Sequence, residues 1–404
     1  MKETMDYSSA RDLLLARVGP AAAERVPLDR CAGRVLAQDL IAAENIPPFD
    51  RSPYDGYAFR AQDTQDASRA HPVTLDILEE IPAGAVPTKE IVPGTAAKIL
   101  TGAPIPPGAD CVCMYEKTAF TRKTVTLFAP MRPGANVVRA GEDVKRGAVL
   151  ARRGDVIDAG IAGTLCAQGE AQPQVYRKLR VGLISTGNEV VEAETAPQPG
   201  KIRNSNRHAL AAALQKEGME PVYLGLAGDE TENIARLIQA GLASCDAVLL
   251  TGGVSVGDYD LTPAAMEASG IGILVRGVNL KPGMACAYGV KDGKPVCGLS
   301  GNPASALTNF YCIALPVLRK LAGRNDPIPV EITVTLHNGF TKKSPGTRVL
   351  RGRLDLSDGT ARMILPEDQG NVVLSSTIGC DVMAIVPAGS GPLPAGTVLK
   401  GFVL

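Results

Sequence analysis

The segment from about 179 to 322 constrains the fold most, because short apolar runs alternate there with amphipathic stretches. The runs typical of buried strands cover 179–185, 222–226 and 247–250, and the stretches that predict helices cover 205–217, 231–243, 263–268 and 303–321. Such alternation predicts an α/β fold with a mostly parallel sheet covered on both faces. Ligands of sheets of this kind bind at the carboxyl ends of the strands.

The rest of the chain has other patterns of apolar and polar residues. Residues 1–45 indicate a helix that begins near Ser8 or Ser9 and then a loop, and a short helix is predicted around 157–168. β-type runs with Gly and Pro turns predict a small antiparallel β domain and a C-terminal module of barrel or sandwich size. The predicted parts are 1–45 with 139–175 (helical and linker), 46–138 (small β), 176–324 (α/β) and 328–404 (C-terminal β).

Composition argues against several classes of function. Acidic and basic residues balance at 42 each, tryptophan is absent and aromatic residues are few, so a nucleic-acid partner is not expected. No apolar run reaches the roughly 18 residues that span a bilayer, and the N-terminus lacks the apolar core of a signal peptide. Nine scattered cysteines favour reduced thiols in a cytoplasmic protein. Three unrelated histidines argue against a histidine-based hydrolase.

One irregular stretch, IPPFDRSPYDGYAFR at 46–60, carries two carboxylates, those of Asp50 and Asp55. Its three prolines and its one glycine predict a poor helix and a poor central strand. A rigid loop that holds two acids is consistent with a functional site. The alternative is a stiff surface turn, where aspartate is common.

Three polar loops each follow an apolar run in the α/β segment: TGNE from 186, TGGVSVGDYD from 251 and SGNPAS from 300. They should gather at one edge of the sheet, where glycine-rich turns let backbone amides approach a phosphate-like anion. The alternative is three tight strand-to-helix turns. The loop residues that we expect to bind substrate are Thr186, Gly252, Gly253, Ser255, Gly257, Gly301, Asn302, Pro303 and Ser305.

Acidic residues accompany these loops, namely Glu189, Asp229, Asp258 and Asp260. Carboxylates beside phosphate-binding turns favour a divalent cation between them. Lys281, in a Lys-Pro-Gly turn, supplies a point charge for a phosphate or another oxyanion. Taken singly, each acid could equally be a solvated turn residue.

Seven motifs occur in the order PPFDRSPYDGYA, TGAPIPPGAD, RAGEDV, STGNEV, TGGVSVGDYD, LKPG and SGNPAS. In this order and spacing the chain resembles, over nearly its full length, the molybdopterin molybdenumtransferase family, called MoeA in bacteria and represented by the E domain of gephyrin in animals. The resemblance implies a MogA-like doubly wound α/β core and a role in molybdenum cofactor biosynthesis. It implies that adenylylated molybdopterin and molybdate are the substrates, that AMP is released, and that Mg²⁺ assists.

The resemblance also implies roles for particular residues. Those implied to act directly are Asp55, Glu189, Asp229, Asp260 and Lys281. The three acids of the α/β segment are the candidates to hold Mg²⁺, Lys281 suits molybdate, and Thr101 and Asp143 are implied to line the same cleft. The family forms elongated homodimers whose cleft takes residues from both chains, so Asp55 would face the α/β site of the partner. An adenylyltransferase and molybdenum enzymes are possible further partners.

This chain departs from the family pattern at several positions. It has RSPY at 51–54, Gly277 where many relatives carry lysine, Ser300 in place of proline, and Asn371 in place of a serine. These changes affect the oxyanion pocket more than the nucleotide pocket, and Arg276 could replace the lost charge if its side chain points inward. The alternative functions are a tungstate-preferring insertase and a non-catalytic molybdopterin-binding scaffold protein.

Overall fold

The computed structural model describes residues 5–255 and 261–404. It divides into two compact units. Unit 1 consists of Met1–Gln38, Arg153–Ala159 and Gln172–Leu404, and unit 2 of Asp39–Arg152 and Gly160–Ala171. The fourfold division drawn from the sequence stays a prediction. No helix of the described residues is long and apolar enough to cross a membrane.

The elements are numbered in chain order. The helices are α1 (Tyr7–Leu15), α2 (Ala159–Ala167), α3 (Ser205–Lys216), α4 (Thr231–Ser244), α5 (Thr262–Ala268), α6 (Pro303–Asn309) and α7 (Leu315–Leu321), and a π turn, Phe310–Ala314, joins the last two. The strands are β1 (Ala23–Arg25), β2 (Leu40–Ile41), β3 (Gly56–Phe59), β4 (Val73–Ile81), β5 (Thr95–Ile99), β6 (Cys111–Met114), β7 (Thr118–Phe120), β8 (Thr124–Leu127), β9 (Val149–Ala151), β10 (Gln174–Tyr176), β11 (Arg180–Thr186), β12 (Val190–Val191), β13 (Ile202–Arg203), β14 (Glu220–Ala227), β15 (Ala247–Thr251), β16 (Ile273–Arg276), β17 (Ala287–Lys291), β18 (Lys294–Leu299), β19 (Glu331–Leu336), β20 (Arg348–Asp355), β21 (Arg362–Ile364), β22 (Val382–Val386) and β23 (Val398–Val403).

The main sheet of unit 1 has the strand order β14-β11-β15-β18-β17-β16. The first four strands are parallel, whereas β17 and β16 join antiparallel. The predicted α/β fold with a mostly parallel sheet is therefore confirmed. Sequence reasoning missed β16 and β17, because both are short and no helix separates them.

Both faces of this sheet are buried. Leu183 and Leu249 pack in one apolar cluster with residues of α3, α6 and α7, and their chain neighbours Ile184 and Leu250 pack in another with residues of α4 and α5. Successive strand residues point to opposite faces, so two apolar clusters on adjacent positions require a cover of helices on each side. This arrangement is a doubly wound core, and it leaves only the strand ends open to ligands.

The N-terminal region is less helical than the sequence indicated. Within the described part of 1–45 the α-helical residues are confined to α1, whose first turn is capped by Asp6 through a 2.9 Å bond from the Ser8 amide. The carboxylate accepts an N–H that has no partner inside the helix. After α1 the chain continues through short strands and one 3-10 turn at Leu28–Arg30.

The C-terminal module is a closed barrel of β19-β21-β20-β22-β23. Its pairs are antiparallel except β19 with β21, and its interior is apolar. Of the two predicted forms, barrel or sandwich, the barrel is found. The start of β20 also bonds to the Lys-Pro-Gly turn: the Lys281 amide donates to the Thr347 carbonyl, and the Val349 amide donates to the Lys281 carbonyl, both at 2.9 Å.

Unit 2 contains a six-stranded sheet with the order β6-β3-β5-β4-β8-β7. Two expectations were wrong here. Gly56–Phe59 is a buried central strand, because all three prolines of the stretch precede it and leave its amides free to pair. A Cβ at Gly56 would lie 2.1 Å from the Cys113 carbonyl oxygen, so glycine suits the close approach of β6. The second error concerns β4 and β5, which are parallel because the long connection 82–94 returns the chain in the same direction.

Candidate active site

The three polar loops meet at the carboxyl ends of the parallel strands, as the sequence predicted. The Thr186 hydroxyl donates to the Thr251 carbonyl at 3.1 Å. A Cβ at Gly252 would lie 2.5 Å from the Thr186 Oγ1 atom, and one at Gly301 would lie 3.5 Å from the Gly252 Cα atom. Gly252 also has a φ of +99°, a conformation that glycine adopts without steric cost. These loops therefore contact one another through backbone atoms and the Thr186 hydroxyl.

The turn after β15 is fixed by a residue that the sequence reasoning did not single out. Thr262 is fully buried at the start of α5, and its amide donates to the Gly253 carbonyl at 2.9 Å. Its hydroxyl donates to the Gly252 carbonyl at 2.9 Å. These two bonds, together with a 3.1 Å bond from the Gly252 amide to the Leu299 carbonyl, fix the turn at the end of β15. The predicted residues Gly257, Asp258 and Asp260 lie outside the described residues.

Two of the predicted acids lie on adjoining loops. The Asn188 amide donates to the Asp229 carboxylate and the Asp229 amide donates to the Asn188 side chain, both at 3.2 Å. The Glu189 carboxylate folds over Gly187, where a Cβ would lie 2.5 Å from its Oε2 atom. Asp229 is half-buried and Glu189 is exposed.

These acids are compatible with the way in which proteins usually coordinate Mg²⁺. Within 5–255 and 261–404 no group of three His, Cys, Asp or Glu side chains could enclose a metal ion. Mg²⁺ is commonly held by one or two carboxylates together with phosphates of the substrate. Glu189 and Asp229 can supply that number of carboxylates, so the donor set fits a magnesium ion that arrives with a phosphate.

The SGNPAS loop opens helix α6. Asn302 precedes the first turn and Pro303 occupies it, where the missing proline amide costs no hydrogen bond. The Asn302 amide donates to the Ser300 hydroxyl at 3.2 Å. Asn206 of α3 donates to the Gly301 carbonyl at 2.8 Å. Helix α3 therefore holds this loop in place from the neighbouring side.

A cavity of about 1390 Å³ lies beside these loops in unit 1. Its lining comes from three places in the chain: the α/β loops, the 276–285 turn and the barrel. The lining residues from these places are Val254, Ser255, Ser300, Asn302, Ser305, Arg276, Gly277, Leu280, Lys281, Pro282, Gly283, Met284, Ala285, Lys342, Arg348, Gln369, Gly370 and Asn371, with Met5 in addition. Three predicted substrate-binding residues, Ser255, Asn302 and Ser305, thus line it, together with Lys281, which was predicted to act directly.

The charge of the cavity is one-sided. Its described lining includes Arg276, Lys281, Lys342 and Arg348 but no carboxylate. Arg348 is 6% exposed, and its guanidinium donates to the Ser344 hydroxyl at 2.9 Å and lies 5.1 Å from the Phe340 ring centroid. Burial lowers the pKa of this guanidinium. A buried cation without an acidic partner is costly, so the site favours an anionic ligand.

Three of these cationic residues bear on the sequence analysis. Arg276 lines the cavity beside Gly277, so it is close enough to the position of the missing lysine to replace its charge. Lys342 and Arg348 were missed. The signal that could have found them is the basic, glycine-marked stretch KKSPGTR at 342–348, which resembles the other candidate loops in composition.

The predicted residues of unit 2 form a separate small cluster. Asp55 accepts two bonds at Oδ1, from the Thr101 amide at 2.7 Å and from the Thr101 hydroxyl at 2.8 Å. The backbone bond, followed by the hydroxyl bond, lowers the pKa of this exposed carboxyl. Asp143 is exposed, and its amide donates to the Ile46 carbonyl at 3.0 Å. Asp55 and Thr101 are therefore brought together, and Asp143 is held by its backbone.

Asp50, the other acid of the 46–60 stretch, has a different environment. It accepts from the Ala140 amide at 2.8 Å and from the Arg139 guanidinium at 2.5 Å. The backbone bond and the Arg139 charge lower the pKa of its carboxyl. Asp50 thus ties two loops together, while Asp55 keeps its charge without a cationic partner in hydrogen-bond contact.

Glycine turns at the ends of parallel strands, next to a cationic cavity, are the architecture of an enzyme that acts on phosphate-bearing or other oxyanionic substrates. Residues 5–169 match the family described as MoeA N-terminal region (domain I and II), and residues 182–320 match the one described as probable molybdopterin binding domain. Among curated relatives, the molybdopterin molybdenumtransferases of Staphylococcus aureus (strain Mu50 / ATCC 700699) and Staphylococcus epidermidis (strain ATCC 35984) are 34% and 33% identical, over 92% and 93% of this chain and 88% and 89% of theirs.

A solved structure agrees with the sequence matches. The molybdopterin biosynthesis MoeA protein from Pyrococcus horikoshii OT3 superposes with a TM-score of 0.86 at 31% identity, over 100% of both chains. The chain therefore belongs to the molybdopterin molybdenumtransferase (MoeA) family, and it is a transferase of molybdenum cofactor biosynthesis.

Proposed function

We propose that this chain transfers molybdenum from molybdate to molybdopterin supplied as its adenylate, and releases AMP in a magnesium-dependent step. The observation that carries the proposal is the cavity whose described lining includes Arg276, Lys281, Lys342 and Arg348 but no carboxylate. Molybdate is a small dianion, and the adenylate carries a phosphoanhydride. A single-signed cationic cavity beside glycine turns suits both charges.

Particular residues take roles in this proposal. Lys281 and Arg276 hold the oxyanion, and Ser255, Asn302 and Ser305 bind the phosphate end of the pterin substrate. The turns at Thr186, Gly252, Gly253 and Gly301, together with Gly257 and Pro303, shape the nucleotide side. Because the glycine turns and Thr262 are already hydrogen-bonded, little ordering is needed when the substrate binds.

Glu189, Asp229 and Asp260 are the residues proposed to hold Mg²⁺, which would neutralise charge on the phosphoanhydride when bound. Asp229 is kept in place by the Asn188 loop and Glu189 by Gly187. Asp260→Asn should remove most turnover and leave folding intact. Near-normal product formation by Asp260→Asn, at any Mg²⁺ concentration, would defeat this assignment.

The direct test is single-turnover release of AMP from adenylylated molybdopterin with Mg²⁺, with and without molybdate. The proposal expects AMP release that depends on molybdate, with appearance of the molybdenum cofactor. Tight binding without AMP release under molybdate or tungstate would favour a binding or scaffold protein. Faster turnover with tungstate in direct competition would favour a tungstate-preferring insertase.

We further propose that the enzyme works as a cytoplasmic homodimer, in which Asp55, Thr101 and Asp143 serve the site of the other protomer. All nine cysteines are free, which suits a reducing compartment. The adenylyltransferase that makes the substrate and the molybdenum enzymes that receive the cofactor are the partners this reaction requires.

Mixing two variants that are each impaired in AMP release tests the shared site. In a heterodimer of Asp55→Asn and Lys281→Ala, one of the two sites is intact only if the two residues of a site come from different chains. Random reassociation should then restore about a quarter of wild-type activity, since half of the dimers carry one good site. No restoration, with heterodimers shown to form, would place Asp55 and Lys281 of each site on the same chain.

A further inference from the structure

Asn309 is a polar residue that the catalytic proposal does not use. It is fully buried at the end of α6, immediately before the π turn Phe310–Ala314. Its Nδ2 atom donates to the Gly283 carbonyl at 2.7 Å. Its Oδ1 atom has no partner among the described residues. A buried amide with half of its bonding capacity unused calls for a physical explanation.

The contact with Gly283 fixes the orientation of this amide. A carbonyl only accepts, so a flipped Asn309 would place two oxygens against each other. Gly283 has a φ of +110°, and a Cβ there would lie 2.8 Å from the Asn309 Nδ2 atom. The turn and the asparagine therefore fit together with no space for a side chain at 283.

The same turn is held from its other side by the barrel. The Lys281 amide donates to Thr347 and the Lys281 carbonyl accepts from Val349, both at 2.9 Å. The backbone of Lys281 thus lies between two anchors, β20 on one side and Asn309 on the other. Helix α6, which ends at Asn309, begins beside the cavity residues Asn302 and Ser305.

From these contacts we propose that Asn309 is a positioning residue for Lys281: it fixes the Lys-Pro-Gly turn to helix α6, and so sets the place of the lysine charge relative to the SGNPAS loop. This inference depends on the oxyanion role proposed for Lys281. Asn309 contacts the turn and not the cavity, since it is absent from the described lining. Its effect on the reaction should pass through Lys281 alone.

Asn309→Leu removes the donor and keeps the branched arrangement of the side-chain heavy atoms. We expect the molybdate concentration for half-maximal AMP release to rise about tenfold, since small misplacement of a charged group is costly, with half-saturation by adenylylated molybdopterin unchanged. Equilibrium dialysis with molybdate alone should show the same loss. Thr308→Val is the matched control, because Thr308 is equally buried in α6 but bonds only to the Ala304 carbonyl of its own helix.

The double variant Asn309→Leu with Lys281→Ala shows whether Asn309 positions Lys281 or only stabilises the fold. If Asn309 acts through Lys281, Asn309→Leu adds nothing to the molybdate defect of Lys281→Ala. An additive loss, or equal losses for molybdate and for the pterin substrate, would overturn the inference. Wild-type molybdate dependence in Lys281→Ala itself would instead show that the proposed oxyanion role is wrong.

A second variant keeps the test valid if Asn309→Leu does not fold. Gly283→Ala adds a Cβ against the Asn309 amide from the side of the turn. It should raise the molybdate requirement without affecting that for the pterin substrate. If folded Gly283→Ala shows normal molybdate dependence, the position of the Lys-Pro-Gly turn does not affect molybdate binding, and the inference is wrong.

Discussion

The acids of the 46–60 stretch in unit 2 and the cations of the cavity in unit 1 are held in opposite ways. Asp50 is bonded to Arg139 and to a backbone amide. In the cavity, Lys281 and Arg348 have no carboxylate in the described lining. In unit 2 the charge of Asp50 is paired within the protein. In the cavity of unit 1 the cations are left to pair with a bound anion.

The difference separates charges that stabilise from charges that bind. A paired charge recovers part of its desolvation cost at once, whereas an unpaired buried cation recovers it when an anion arrives. Asp55 is intermediate, because Thr101 donates two bonds to it but brings no positive charge. We expect substitution of paired groups to change the free energy of unfolding, and substitution of unpaired groups to change activity.

The largest effect is expected for Lys281→Ala. Loss of a charge aimed at the oxyanion should reduce AMP release at limiting molybdate by about a hundredfold, with the melting temperature unchanged. Lys123→Ala is the control, since Lys123 is an exposed lysine of unit 2. Molybdate-dependent rates within twofold of wild type would remove Lys281 from the oxyanion site.

A paired arginine, Arg319, and an arginine of the cavity, Arg348, allow a direct comparison of a stabilising and a binding charge. Arg319 is half-buried and forms a bidentate pair with Glu217 at 2.8 and 2.6 Å, and Glu217 also lies 3.7 Å from Arg324, so Arg319→Met should lower the free energy of unfolding by about 2 kcal/mol with activity nearly normal. Arg348→Met removes a buried cation without an acidic partner, and should weaken molybdate binding about tenfold at little cost in stability. Urea unfolding and equilibrium dialysis on both variants test the contrast; a stability loss for Arg348→Met as large as for Arg319→Met would erase it.

The sequence was sufficient to predict the part of the site that depends on local patterns along the chain. Strand-to-helix turns in a parallel sheet share one edge, so the convergence of Thr186, Gly252 and Gly301 followed from apolar runs and glycines alone. Asp55 and Thr101 were both named, although the bond between them was not foreseen. Asp260 lies outside the described residues, and its role stays a prediction.

What failed depends on packing between distant segments. Lys342 and Arg348 enter the cavity because the barrel packs next to the 276–285 turn, and no local pattern states which loop of a barrel meets which turn. Gly56–Phe59 became a central strand because β5 and β6 bracket it. The position of this strand in the sheet therefore depends on pairing with its neighbours more than on its own composition.

Asp50 and Asp55 give a smaller but cleaner comparison, because they lie five residues apart in one stretch. Asp50→Asn should lower the free energy of unfolding by about 1 kcal/mol, since it weakens a charge-assisted bond to Arg139, with AMP release nearly unchanged. Asp55→Asn should reduce AMP release about tenfold without a measurable change in stability. The reverse pattern in urea unfolding and single-turnover assays would mean that the roles are exchanged.

The smallest effect concerns the pH dependence of the reaction. The pKa of Asp55 is lowered first by the Thr101 amide and then by its hydroxyl. Thr101→Val keeps the amide bond and removes the hydroxyl bond, so the pKa of Asp55 should rise part of the way toward its ordinary value. A reaction that needs ionised Asp55 loses rate as the pH falls through that pKa, so the acidic limb of the rate profile should move to higher pH. Thr121→Val, which removes a hydroxyl pair with Thr124 in the same unit, should leave the limb in place. If Thr101→Val leaves the acidic limb in place too, the limb reports a group other than Asp55, and Asp55 acts without needing its charge.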